Sequence, residues 1–569
     1  MIYFLFALAF ILATIYYVNK AISKFQCCPT RINHDYDAII VGGSIAGPTI
    51  AKALSDQGRK VLLIERKLFT KSNRIVGELL QPGGISALKI LGMDQCATSI
   101  GMPCKGYVVA DTKGRQLELS FRNGVQGVSF HFGDFVHNLR EFTYKNCQEN
   151  VTMIEGTVKT ILTEGHTCYE RAYGVEYTVV EDYHEPEDPF HVDPPNSGNA
   201  SYVTKTATAP LIIMCDGGMS MWRGRYQHFT PAAEYHSNFI GIILKGAKLP
   251  IERNGTIFSS KEAIILSYRL DPNEVRVLVI ANYTRLPRLS KLCEWLLKEV
   301  APSLPEGMRE AFICAVTKQS NIQIVPVAAC PPTFPSIKGY VGIGDHNDQR
   351  NPLTGGGMTC AFHDAICLAN KLKDIPQMRT NNLMHAAIIQ NRIQDAIWGY
   401  SRHRYHHSSC INILSWALYM VFSTELLREV CFDYFKRGGD CVTVPMDLLG
   451  GLNSSLLTLI YHYFSVMLHG VNLLLTGDGT FLSRTHKPLS RYQKLKNALT
   501  FFISFSRLYE ATYLMIIFII AVVQIGMREF YSPWRLIDPV SVVGKICKDI
   551  KTHAYKFLFG SKYSKPVGF

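Results

Sequence analysis

Asp37-Ala38-Ile39-Ile40-Val41-Gly42-Gly43-Ser44-Ile45-Ala46-Gly47 reads as a short apolar strand running into a glycine turn. The next segment, PTIAKALSDQGRK (48–60), has helical character, and VLLIE (61–65) is a second strand that ends on the acid Glu65. Strand, turn, helix, strand and terminal acid at this spacing form the Rossmann arrangement that binds dinucleotides. Gly42 allows the tight turn and Gly47 allows close helix–strand packing. The backbone N–H groups opening the helix, around Ser44, Ile45 and Ala46, are placed to receive a pyrophosphate. Glu65 is placed to accept hydrogen bonds from an adenosine ribose. The middle glycine of the fingerprint is Ser44, whose side chain is small and whose hydroxyl can also face phosphate.

The same fold serves NAD and FAD, and two later segments choose between them. Met214-Cys215-Asp216-Gly217 closes a strand and is followed by Ser220 and Arg223. Gly344-Asp345 closes another, and Pro352-Leu353-Thr354-Gly355-Gly356-Gly357-Met358 leads into the helical run TCAFHDAICLANKLKD. An Asp at a strand end binds ribityl hydroxyls. The glycines let backbone approach a flavin ring, and the helix N-terminus stabilises negative charge on reduced flavin. FAD is therefore the expected cofactor.

Around this centre, 569 residues imply two or more packed units. A hydrophobic content of 47% and a mean hydropathy of +0.06 fit a globular body with apolar extensions. The formal charge of +13 suits anionic lipid or an acidic partner. Nucleic acid is disfavoured by the absence of a recognition motif and of any dense Lys/Arg run. Sixteen scattered cysteines without paired zinc-type spacing read as thiols in a reducing compartment.

Residues 2–18, IYFLFALAFILATIYYV, are uncharged and long enough to approach a bilayer crossing. No basic region precedes them and no clear cleavage site follows, which favours a retained anchor over a cleaved signal peptide. Lys20, Lys24 and Arg31 place the following chain in the cytosol by the positive-inside rule. The sequons at Asn150, Asn199, Asn254, Asn282 and Asn453 are then unused. Residues 36 to 400 alternate strand-like and helix-like runs, interrupted by a polar loop at 181–200. Beyond 400, the apolar runs 411–422, 456–475 and 511–523 read as a helical bundle dipping into one leaflet, with a second true span as the alternative. His403, His406 and His407 in an Arg-rich stretch read as a solvated or headgroup-facing helix face. No metal site is expected.

From about residue 36 to 450 the chain closely resembles the squalene monooxygenase (squalene epoxidase) family. Arg74-Ile-Val-Gly-Glu-Leu-Leu-Gln-Pro-Gly-Gly84 is very similar to a segment diagnostic of that family. Gly106-Tyr107, the Asp216…Arg223 stretch and Pro352–Met358 also match. So does Cys431-Phe-Asp-Tyr-Phe-Lys-Arg-Gly-Gly-Asp-Cys-Val442 followed by Pro445. Two stretches depart from family usage. Gly-Asp-Ala-x-Asn-Met-Arg-His-Pro is here Gly344-Asp345-His346-Asn347-Asp348-Gln349-Arg350-Asn351-Pro352, and His-Gly-Arg-Phe is here Phe132-Gly133-Asp134-Phe135.

The resemblance implies an α/β fold: a Rossmann-like FAD-binding domain interleaved with a β-sheet substrate domain, plus an N-terminal transmembrane helix and C-terminal membrane-associated helices. The expected division is an anchor at 1–20, FAD-binding segments at 36–110 and 331–400, mixed segments at 111–165, and a substrate domain at 201–330. Membrane-associated helices at 401–530 and a tail at 531–569 complete it. It implies FAD contacts at Gly42, Ser44, Ile45, Ala46, Gly47, Glu65, Arg66, Arg74, Leu79, Val158, Asp216, Asp345, Gly356 and Met358. It further implies a catalytic role for Tyr107 and substrate contacts at Gln81, Tyr268, Pro352 and Leu353. The implied reaction inserts one oxygen atom of O2 into a terminal double bond of squalene to give the 2,3-epoxide. Electrons would come from an NADPH–cytochrome reductase at the endoplasmic reticulum membrane. Another polyprenyl-lipid flavin oxidoreductase, or a flavin-poor pseudoenzyme of the sterol pathway, remains an alternative.

Overall fold

The computed structural model describes residues 32–476, 490–501, 511–516, 518–519 and 529, apart from 76, 112–113, 166–169, 182–187, 192–200, 229–233, 260–262, 282–286, 320–321, 377 and 424. The apolar run 2–18 with Lys20, Lys24 and Arg31 lies outside the described residues. So do Asn199, Asn282, the 531–569 tail and parts of 181–200 and 511–523.

The opening strand, Ala38–Val41, sits at the centre of a five-stranded sheet. The order is Tyr340–Gly342, Ile212–Met214, Ala38–Val41, Val61–Glu65, Val151–Glu155. Every neighbouring pair is parallel, with Ile39 beside both Ile212 and Leu62. The four apolar runs expected to be strands thus lie side by side. The run GYVGIGD leaves the sheet at Gly342, and Asp345 falls in a single 3₁₀ turn, Gly344–His346. These strands are apolar throughout because both faces are covered. Ala38, Ile40 and Leu63 pack against Ile50, Leu54, Phe362 and Leu368 of helices Ala46–Ser55 and Gly357–Leu372. Ile39, Val41, Leu62 and Ile64 point the other way. They meet the three-stranded antiparallel sheet formed by Thr157–Glu164, Arg171–Val180 and Tyr202–Thr208.

A second, seven-stranded sheet runs in the order Gln323–Ala329, Glu234–Lys245, Glu274–Ala281, Ile264–Asp271, Gly255–Ser259, Gly106–Asp111, Gln116–Ser120. Its two-residue period separates two cores. Ile240, Ile242, Val277 and Val279 face helices that include Leu292, Met308 and Phe312. Ile264, Leu266, Tyr268, Leu278 and Ile280 face the opposite way, toward Leu79, Tyr107 and Leu353. The second face is the one that matters for the site.

The C-terminal apolar runs form helices Tyr405–Ser423, Glu425–Lys436, Asp440–Leu449 and Leu456–Thr476. Two of the places that fasten them to the body lie near the substrate-side sheet and the Gln-Pro-Gly-Gly segment. Arg115 grips both carboxylate oxygens of Glu429 at 2.8 and 2.7 Å. Gly83 N–H donates to Gly450 O at 2.8 Å, and a Cβ on Gly83 would come 2.4 Å from Gly451 O. The Gln-Pro-Gly-Gly segment is glycine-rich because backbone meets backbone there. Leu456–Thr476 is long and apolar enough to cross a membrane, with only a third of its most apolar window buried. Its His462 points inward, Nδ1 lying 2.9 Å from Tyr434 Oη, while Leu457, Tyr461 and Leu468 are exposed.

Candidate functional site

The parallel sheet brings its strand ends together at one edge, where open α/β sheets place their ligands. Gly42 has φ of +106°, and a Cβ on it would lie 2.5 Å from Cys215 O. The turn and the Asp216 segment therefore touch through backbone. A Cβ on Gly47 would lie 2.0 Å from Gly42 O, so the helix begins directly beneath the turn. That helix, Ala46–Ser55, has no side-chain cap and no acid in its first turn. Its leading N–H groups are left for an anion. Helix Gly357–Leu372 opens in the same bare fashion behind Gly356.

Between these ends lies a cavity of about 840 Å³. Gly42, Ser44, Ile45, Ala46, Glu65, Arg66, Arg74, Val158, Asp216, Asp345, Pro352 and Met358 all line it. Glu65 accepts from Gly43 N–H at 2.7 Å and from Lys67 N–H at 3.1 Å, which fixes its carboxylate at the strand end. Arg74 stands 4.0 Å from Asp345 and over the Phe132 ring at 5.7 Å. The donor set, the glycine cradle and the volume fit a flavin dinucleotide. Gly47 and Gly356 act beneath the surface and do not line the cavity.

Leu79, Tyr107, Tyr268 and Leu353 gather in the apolar cluster facing the second sheet and are likewise absent from the cavity wall. Gln81 joins the two regions. Its Nε2 donates to Tyr107 Oη at 2.6 Å and to Thr354 O at 2.8 Å, directly after Pro352 and Leu353. Burial pushes the Tyr107 hydroxyl well above its ordinary range. Tyr268 Oη donates to Glu78 Oε2 at 3.2 Å, and Glu78 is held from its other side by Arg276 at 2.7 and 2.8 Å. Burial raises the Glu78 carboxyl despite that arginine.

Four functional features escaped the sequence reading. Arg140 is buried and donates to Gly43 O at 2.5 Å and to the carbonyls of Lys67 and Leu68 at 2.7 and 2.8 Å, bracing the Gly42–Gly47 turn from below. Nothing local in the sequence marks a lone helical arginine for that task. The Glu78–Arg276 pair joins residues 198 apart, and His346 is taken up below. Under the altered loop, Arg404 donates to Asp348 Oδ1 at 2.6 Å and lies 3.6 Å from Asp364, while Arg350 donates to Asp348 Oδ2 at 2.9 Å. Asn412 bridges Asp348 to Glu529, whose carboxyl burial lifts to about 7, with Asp348 adding to the shift.

The Arg-rich stretch at 402–407 therefore needs correction. His403 and His406 are exposed as expected, but Arg404 is only 1% exposed, and His407 Nε2 lies 2.7 Å from Asp364 Oδ1. Two buried carboxylates have drawn these side chains inward. Asp134, in place of the family's arginine, pairs with Lys71 at 2.8 Å through exposed side chains and does not line the cavity. None of the twelve cysteines among the described residues is in a disulfide.

One pH response follows from helix Gly357–Leu372. Burial, with His407 nearby, lowers His363 to about 4. Burial disfavours the Asp364 carboxylate, but Arg404 and the His407 hydrogen bond outweigh it and hold it at about 2. The unfolded chain binds more protons than the folded one between 6.5 and 4 at His363, and between 3.8 and 2 at Asp364. The stability that these two groups contribute is thus fully present above about 6.5 and falls as pH drops through both windows, while Glu529, raised to about 7, acts in the opposite sense. Melting temperatures of the wild-type protein and of His363→Gln, recorded from pH 8 to 2, check this, and the difference between the two is expected to change between pH 6.5 and 4.

Comparison with known proteins agrees with this geometry. A squalene epoxidase family model matches residues 208–486. A Schizosaccharomyces pombe squalene epoxidase is 35% identical over 77% of this chain and 90% of its own length. The chain belongs to the squalene epoxidase family. A Mus musculus squalene monooxygenase is 34% identical over 76% of this chain and 71% of its own. Among solved structures, the flavin-dependent brominase Bmp2 superposes with a TM-score of 0.55 at 14% identity. That alignment covers 76% of this chain and 98% of the brominase. The FAD-dependent monooxygenase pqsL of Pseudomonas aeruginosa gives 0.52 at 19%, over 70% and 100%. These two likenesses carry the fold: mixed-sheet α/β.

Proposed function

We propose that this protein is an FAD-dependent monooxygenase that epoxidises squalene to 2,3-oxidosqualene in sterol synthesis, taking one atom from O2 and electrons from an NADPH–cytochrome reductase. The observation that carries it is the Gln81 bridge, which joins the Pro352–Thr354 segment beside the cofactor-sized cavity to the apolar, tyrosine-bearing cluster through a single amide. When bound, FAD would supply oxygen activation. The N–H groups after Gly42, with Ser44, Ile45 and Ala46, would hold its pyrophosphate. Glu65 would hold the ribose, with Arg66 and Val158 beside it. Asp216, Asp345 and Arg74 would take the ribityl and phosphate groups, and Met358 with the backbone of Gly355 and Gly357 would approach the ring.

The remaining work is placement and exclusion of water. Gln81 spends both amide protons, on Tyr107 Oη and Thr354 O, so Tyr107 keeps its own proton as the donor at this junction. Tyr268, held by Glu78 and Arg276, would flank the substrate within this apolar cluster, and Pro352 and Leu353 would stand between it and the cofactor. A C30 hydrocarbon offers no polar handle, and the apolar lining supports such an occupant.

A retained anchor at 2–18 and the exposed stripe of Leu457, Tyr461 and Leu468 support residence on the endoplasmic reticulum membrane, with the catalytic body in the cytosol. The altered 346–351 loop motivated a flavin-poor reading. His346 and Asp348 are both fully engaged by partners, which favours a retained site. Detergent-solubilised protein supplied with FAD, squalene, NADPH and a reductase is expected to be yellow and to form 2,3-oxidosqualene by mass spectrometry. Absence of flavin absorbance, or of epoxide from flavin-loaded protein, would overturn the reading.

A further inference from the structure

His346 is one of the residues in which the loop carrying Asp345 departs from family usage, and its ring is completely enclosed, with 0% exposure. Nδ1 lies 2.6 Å from Asp216 Oδ1 and Nε2 lies 3.0 Å from Tyr340 Oη. Gly342 makes room for the ring, since a Cβ there would come 2.1 Å from its Cδ2. Arg223 fixes the peptide on either side by donating to the carbonyls of Asp345 and His346. One proton arrangement satisfies the whole chain of groups. Tyr340 O–H donates to Nε2, and Nδ1–H donates to Asp216.

We propose that His346 is a positioning residue for Asp216, holding one carboxylate oxygen from beneath so that the other faces the bound cofactor. Asp216 lines the cavity and its side chain is 20% exposed. Left alone, such a carboxylate would rotate, and binding would have to order it. A charge-assisted hydrogen bond from a locked ring removes that cost in advance. The smaller alanine of family usage cannot reach from Tyr340 to Asp216, so the device belongs to this chain, where His346, Gly342 and Tyr340 form a matched set.

The inference rests on reading the cavity as the FAD site, and FAD titration of the full-length apoprotein, followed by flavin fluorescence, tests the two separately. His346→Leu fills the space without a donor and is expected to raise the FAD Kd about tenfold or more. His346→Asn keeps a donor near the Nδ1 position and is expected to recover most of that loss, although it packs less well. Asp216→Ala is expected to cost clearly less in the His346→Leu background than alone, because the two act as one unit. Should the leucine variant not accumulate, Tyr340→Phe asks the same question from the far end and is expected to weaken FAD binding with ring packing kept.

Wild-type affinity in His346→Leu or Tyr340→Phe, an asparagine variant weaker than the leucine one, or multiplicative losses with Asp216→Ala would each overturn the positioning role. A leucine variant whose apoprotein melts early but binds FAD normally would leave the histidine as packing alone, which also overturns it. If the wild-type protein binds no FAD, the functional reading fails first and takes this inference with it.

Discussion

Gly47→Ala is expected to remove flavin binding from a protein that otherwise retains its fold. The added methyl would stand 2.0 Å from Gly42 O, a backbone atom that cannot swing aside as a side chain does. Relief requires the helix to slide away from the turn, and the same movement withdraws the N–H groups that face the anion. Overpacking of this kind costs about 1–3 kcal/mol, so the shift alone would weaken FAD about 10- to 100-fold. Loss of the aligned helix end adds to it. FAD titration of the apoprotein checks the result, with near-wild-type circular dichroism as the control. Retained yellow colour on purification would show that the turn tolerates the shift.

Arg404→Met is expected to be the most destabilising single change in the loop region, at about 3–5 kcal/mol. Removing the guanidinium leaves Asp348 and Asp364, 1% and 0% exposed, sharing the remaining Arg350 and His407. A buried carboxylate without sufficient counter-charge must take up a proton or open the fold. Thermal unfolding at pH 7.5 reads the loss directly. Adding Asp348→Asn, the family's usual residue, is expected to restore part of it by removing one of the stranded charges. A melting temperature unchanged by Arg404→Met would show that solvent already reaches the network.

The sequence made the parallel sheet legible because its signals are local. Strand, glycine turn, helix and terminal acid lie within residues 37–65, and each constrains the next. The Asp216 and Gly344–Met358 segments were legible for the same reason, and twelve of the residues named for cofactor or substrate contact do line the cavity. The gaps are all long-range. Glu78 meets Arg276 across 198 positions, and Arg140 reaches Gly43 across 97. No window of sequence reveals such partners. His346 read as a departure from family usage, because its purpose depends on Asp216, just beyond strand Ile212–Met214, meeting Tyr340 and Gly342 of the neighbouring strand. The 402–407 stretch was misread because a charged helix face is usually solvated, and only the buried Asp348 and Asp364 say otherwise.

The order of strands in the central sheet also sets a timetable. Ala38–Val41 is made early, yet its partner Ile212–Met214 and the helix Gly357–Leu372 that seals its face are made much later. At a synthesis rate of about 5–20 residues per second, the first strand waits roughly 17–66 seconds between leaving the ribosome and being covered. During that interval an apolar edge next to the N-terminal hydrophobic run stands open to pairing with other nascent chains. Chaperone dependence during synthesis, and poor yield from fragments that stop short of residue 372, are expected of a parallel sheet whose last strand and sealing helix follow most of the seven-stranded sheet in the chain.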